Sequence, residues 1–343
     1  MATQLQDRKY VIAKQTLAER MKLSTNRDGS FSGKNKEKFL KDCEYHIDFL
    51  CPALAYNSPG IFADYITWVR NLFANLSITE ENFRDYFATF TDVIVDQVDQ
   101  DGVYGLRAFI ESALAQFNEP FQPIPSYISA ATHLSHEAKT VLDSLLLGKQ
   151  AFATKYVMDL VAGGVSIQDC YLEIIQPVQQ EVGRLWHNSE ISVGMEHYVT
   201  SASQVIMSQF YPSIMNHDKT GKSLLTACIS GEQHELGLRM VADLMELEGW
   251  DTYFLGSNTP LFTIPQLAIS KKVNLLAISV TLSTHLEKLE QLISMCREEI
   301  PQLKIMVGGY PFNVDRNLWQ KMGADGYGTN AMDAINVAEQ LVK

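Results

Sequence analysis

The apolar positions of this chain follow two different rhythms. From the start to about residue 125 they recur at helical spacing: Phe83, Tyr86, Phe87, Phe90, Val93 and Ile94 form one stripe, and Phe39, Cys43, His46, Ile47 and Leu50 another. Five or so amphipathic helices are expected there, one opening at Ser77-Ile78-Thr79-Glu80 in a capping-box pattern. The polar stretch Ser24 to Gly33, with Asp28-Gly29 and Ser32-Gly33, reads as a loop. Pro120-Phe121-Gln122-Pro123-Ile124-Pro125 breaks the pattern and marks a domain boundary. Helical spacing returns from about 134 to 210, punctuated by Gly163-Gly164 and Pro177, and a polar linker follows from Pro212 to Lys222. Beyond it, short apolar runs at 224–229, 252–255, 275–280, 304–307 and around Asp325-Gly326-Tyr327 alternate with helical segments. Five strands alternating with helices imply a parallel, doubly wound sheet. The expected domains are 1–125, 126–216 and 217–343.

In open α/β sheets the ligand sits in the crevice beyond the carboxyl ends of the strands. The segment Gly231-Glu232-Gln233-His234-Glu235-Leu236-Gly237 lies at such an end, after the first apolar run. Imidazole is the commonest metal ligand, and a carboxylate two residues away is placed to fix its tautomer. Ser279-Val280-Thr281 closes the third run, and Gly308-Gly309 follows the fourth.

These three elements, at these intervals, resemble the cobalamin-binding domain of corrinoid methyl carriers, methionine synthase, cobalamin mutases and cobalamin light sensors. The family signature is Asp-x-His-x-x-Gly, then Ser-x-Leu, then Gly-Gly. The resemblance implies a flavodoxin-like fold in which His234 ligates cobalt from below, while Ser279, Gly308 and Gly309 line the slot for the nucleotide tail. Glu232 stands where the family has Asp, and Thr281 where it has Leu. Gly237 completes the first motif.

Trp186 is followed after nine residues by Glu196-His197. This resembles the Trp-x9-Glu-His signature of CarH-type adenosylcobalamin photoreceptors, in which a four-helix bundle caps the upper face of the corrin. The resemblance implies that Trp186 and Glu196 pack around the adenosyl group and that Val193 adds to the apolar wall. It also makes His187 the residue that takes the upper position once light removes that group. Without the resemblance, Trp186 reads as a bundle-core aromatic and Glu196-His197 as a solvated helix face.

Composition narrows the field. A formal net charge of −12 and the lack of any long basic run argue against broad nucleic-acid binding, and no helix-turn-helix is evident. Five scattered cysteines read as reduced core residues of a cytoplasmic protein. The opening residues carry no secretory signal, and no apolar run approaches the length of a membrane span. Gly221-Lys222-Ser223 precedes its strand, so it is no phosphate loop. His46 invites a haem reading of a globin-like domain, but a satisfied core histidine is expected, with no second cofactor in the N-terminal domain.

The leading expectation is an adenosylcobalamin light sensor whose carbon–cobalt bond is broken by light and whose bundle then shifts against the sheet. Its partners would be further copies of itself in a light-dependent oligomer and a downstream signalling protein, with neither DNA nor membrane contacted. The alternative is a corrinoid methyl carrier serving separate methyltransferases. A radical mutase lacks room for its barrel, which needs about 250 residues.

Overall fold

The computed structural model describes residues 1–23, 34–75, 78–115, 122–128, 132–215 and 217–343. The loop expected at 24–33, Ser77 of the capping pattern and Pro120-Phe121 of the expected boundary lie outside the described residues. The chain forms two compact units, one of 1–121 with 281–287 and 310–321, the other of 122–280 with 288–309 and 322–343.

The first unit contains helices Ala2–Asp7, Lys9–Leu23, Lys34–Ala55, Pro59–Asn75, Glu80–Val95 and Gln100–Leu114. Helix Glu80–Val95 starts where Thr79 caps it, its side chain accepting from the Asn82 amide at 3.2 Å. All six residues of the Phe83 to Ile94 stripe are buried. His46 from the second stripe is 2% exposed, and its Nδ1 pairs with the Tyr65 hydroxyl at 2.8 Å. The rings of Tyr86, Phe87 and Phe90 stand 5.1–5.8 Å from its own, centroid to centroid. Burial among them lowers the imidazole pKa to about 3.

In the second unit, four long helical stretches form the bundle: Ser135–Leu146, Gln150–Ala162, the composite running through Gln176–His187, and Val193–Ser208. The composite begins at Ile167–Asp169 and passes through a π-helical turn, Cys170–Ile175. Pro177 lies just beyond that turn, and its missing amide hydrogen removes one α-helical bond there. Ser192 caps the last helix through the Met195 amide.

The same unit contains β1 Ser223–Ala227, β2 Asp251–Phe254, β3 Leu275–Ser279, β4 Lys304–Gly308 and β5 Gly326–Gly328. All four pairings are parallel, in the order β2-β1-β3-β4-β5. This is the flavodoxin-like order, with its switch point between β1 and β3. The central strands are apolar runs buried on both faces, as parallel sheets require. All five expected runs became strands. Tyr171 from the π turn bonds Asp243 Oδ2 of helix Leu236–Leu247 at 2.6 Å, tying bundle to sheet through two buried groups.

Candidate functional site

β1 ends at Ala227, and the chain turns through Gly231, whose φ is +93°, before entering helix Leu236–Leu247. Asn258 holds this turn: its side-chain oxygen accepts from the Gly231 amide at 2.9 Å, and its backbone amide donates to the Glu232 carbonyl at 2.9 Å. Lys288 Nζ donates to the Ser230 carbonyl at 2.8 Å. The Glu232 carboxylate, fully buried, takes His234 Nδ1 at 2.5 Å and the His234 amide at 3.1 Å. One side chain therefore fixes both the backbone and the ring of His234. The carboxylate raises the imidazole pKa above its usual 6.5, and the charge of Glu196 adds to the effect. With Nδ1–H donated to Glu232, the Nε2 lone pair is the one left for a metal, on a side chain 56% exposed.

Gly237, in the first turn of the following helix, has nothing within 4 Å of where a Cβ would stand. Its neighbourhood is open. Gly309 is the opposite case, with φ +103° and a Cβ position only 2.0 Å from the Val280 carbonyl oxygen. Only glycine lets β3 and β4 end this close together. Ser279 and Gly308 are register partners across that same pair. Thr281, two residues on, belongs to the first unit.

On the bundle, Trp186 is 38% and Val193 53% exposed. Glu196 pairs with the exposed His197 and accepts from Thr200 Oγ1 at 3.1 Å. His187 is 4% exposed, so an upper coordination position would require it to leave its buried place. The structure thus brings Glu196 into electrostatic range of His234, while His187 is enclosed.

Several residues of this region were missed in the sequence. Glu235 accepts from Gln204 Nε2 of the bundle at 2.6 Å and from the Ser257 amide at 2.6 Å, joining the histidine turn to a bundle helix and to the loop after β2. Its place beside His234 was a usable signal. Asn258, at φ +53°, announced itself only as part of a turn-like Gly-Ser-Asn-Thr-Pro run, and Lys288 gave none.

Residues 222–336 match a family model described as the B12 binding domain, and residues 137–210 match a second of the same description. Both matches support cobalamin binding by this part of the chain. Among its relatives is the dimethylamine corrinoid protein 2 of Methanosarcina mazei, 27% identical over 122 residues, which are 35% of this chain and 56% of that protein. The trimethylamine corrinoid protein 1 of Methanosarcina acetivorans is 25% identical over 193 residues, 54% of this chain and 88% of that protein. The chain thus spans little more than half the length of the first relatives it matches. The solved monomethylamine corrinoid protein of Methanosarcina barkeri shares the fold, with a TM-score of 0.54 and 22% identity over 61% of this chain and 99% of that one.

These findings correct two expectations. The named relatives are methylamine corrinoid proteins, so the light-sensor reading is withdrawn. With it go the light-dependent oligomer and the downstream signalling partner. The residues present fit a corrinoid: a histidine fixed through Nδ1 with Nε2 open, beside a glycine whose missing side chain leaves open space. Among the described residues no helix is long and apolar enough to cross a membrane.

Proposed function

We propose that this protein is the corrinoid carrier of a methyltransferase system, holding cobalamin in its methyl rather than its adenosyl form and passing a methyl group between methyltransferase partners. The observation that carries the proposal is the Glu232–His234 pair at the end of β1, and the methylamine corrinoid relatives support it. Cobalamin, when bound, supplies the cobalt that takes up and gives away the methyl group. His234 would hold the cobalt through Nε2, while Glu232 accepts the Nδ1–H and sets the ring's orientation. Gly237, Ser279, Gly308 and Gly309 would line the cofactor from the sheet side. Trp186, Val193, Glu196 and His197 would face the cofactor from the bundle side, where methyl exchange needs access to the partner's site, and the buried His187 has no part in that reading. The five cysteines are free and buried, which supports a reducing, cytoplasmic setting.

The test is to load wild type and His234→Ala with methylcobalamin and hydroxocobalamin. Wild type should give a base-off, histidine-on absorption spectrum and, after one-electron reduction, nitrogen splitting in the electron paramagnetic resonance signal. The variant should lose that splitting and slow methyl transfer with a methylamine methyltransferase. Identical spectra for the two proteins would remove His234 from the metal. A loaded wild type that exchanges no methyl group with such an enzyme would remove the carrier reading.

A further inference from the structure

The first unit is discontinuous in sequence, and the two later segments it takes in are not arbitrary ones. Residues 281–287 begin two positions after Ser279, and residues 310–321 begin directly after Gly309. Each therefore continues from one of the strand ends that carry the second and third cobalamin motifs. Those ends are themselves register partners, Ser279 with Gly308.

Within the first unit both segments are firmly held. The turn Ser283–His285 packs on helix Lys34–Ala55, and the short helix Tyr310–Val314 packs on helix Pro59–Asn75. Phe312 is fully buried and Ser283 nearly so. Tyr310 donates its hydroxyl to Asp64 Oδ1 at 2.8 Å. Lys321 Nζ bonds both the Tyr56 carbonyl and Asp315 Oδ2, each at 3.0 Å, and Ser58 adds a bond to Asp315. Val314 Cγ1 lies 3.6 Å from where a Cβ on Gly60 would stand.

Resting on the carrier reading above, we propose that the N-terminal helices control corrinoid retention by holding the two segments that run on from Ser279 and from Gly308-Gly309. A strand end continued by an anchored segment has less freedom to lose when a ligand is seated on it, and so binds more tightly. Coupling of this kind is reciprocal. Corrinoid binding stiffens the N-terminal helices by the same free energy with which those helices tighten the corrinoid.

The experiment compares hydroxocobalamin affinity in the full chain for wild type, the wedge Gly60→Trp, the double variant Tyr310→Phe/Lys321→Ala, and the control Tyr104→Ala, whose side chain is 85% exposed on helix Gln100–Leu114. Affinity should fall about ten-fold for the wedge and about three-fold or more for the double variant, and stay unchanged in the control. In wild type, hydroxocobalamin should also slow hydrogen exchange in helices Lys34–Ala55 and Pro59–Asn75. Should the wedge fail to fold, the double variant, which removes only surface hydrogen bonds, decides the matter. Equal affinities with no change in exchange would overturn the proposal while leaving the carrier reading intact. A wild type that binds no hydroxocobalamin would overturn both.

Discussion

Replacing His46 with Phe should abolish a loss of stability that the wild type suffers on acidification. The imidazole is buried, its Nε2 has no hydrogen-bond partner, and its pKa falls to about 3 in the folded chain. In the unfolded chain it titrates at the ordinary value of about 6.5. The unfolded state therefore takes up the proton first. Stability is complete above pH 6.5, falls as pH drops below that value, and levels off only below the folded pKa. Integrated from pH 7 to pH 5, the loss is about 2 kcal/mol. Phe suits the surrounding rings but strands the Tyr65 hydroxyl, so the variant should start about 1 kcal/mol lower at pH 7 and then lose about 2 kcal/mol less than wild type on going to pH 5. Hydrogen exchange of amides in helices Lys34–Ala55 and Glu80–Val95, corrected for the intrinsic effect of pH, reads this unit directly. His234 works in the opposite sense, because its raised pKa gives stability that is full at low pH and lost as pH rises through the folded value. It is present in both proteins and drops out of their difference. A wild-type slope matching that of His46→Phe to within about 0.5 kcal/mol between pH 7 and 5 would refute the reasoning.

Gly309→Ala should destabilise the second unit by about 3 kcal/mol or more, since an L side chain at φ +103° meets the Val280 carbonyl; urea unfolding within about 1 kcal/mol of wild type would contradict the steric argument. Tyr171→Phe should cost about 2 kcal/mol by leaving the buried Asp243 carboxylate short of a donor. Repeating that substitution in an Asp243→Asn background should show a much smaller cost, and an equal cost there would deny the coupling.

The central strands were legible because they are largely apolar runs, but the run 224–229 outlasts its strand. Cys228 and Ile229 stay buried while pairing with the loop after β2, at Gly256 and Thr259, instead of extending the ladder. Burial and strand pairing are separate properties, and hydrophobic pattern reports only the first. The His234 motif was visible as a spacing. That Glu232 would be wholly buried, and would hold the histidine twice, was not, because its partners come from the turn's three-dimensional path. Trp186 and His187 show the limit of local pattern: adjacent on one helix, the first is partly exposed and the second enclosed. The resemblance of Trp186 and Glu196 to a photoreceptor signature also went further than those two residues could carry. Least readable was the capture of 281–287 and 310–321 by helices more than 150 residues earlier, since no period or turn signal encodes so distant a pairing.

That capture has a consequence for how the molecule is made. A ribosome releases the chain from its N-terminus, at about 5–20 residues per second. Between the end of helix Gln100–Leu114 and the arrival of residue 281, the whole stretch 115–280 has to be synthesised. The N-terminal helices therefore wait on the order of ten seconds with the faces meant for Phe312 and Ser283 uncovered. Completion of the unit only as residues 310–321 emerge is built into the order of the sequence.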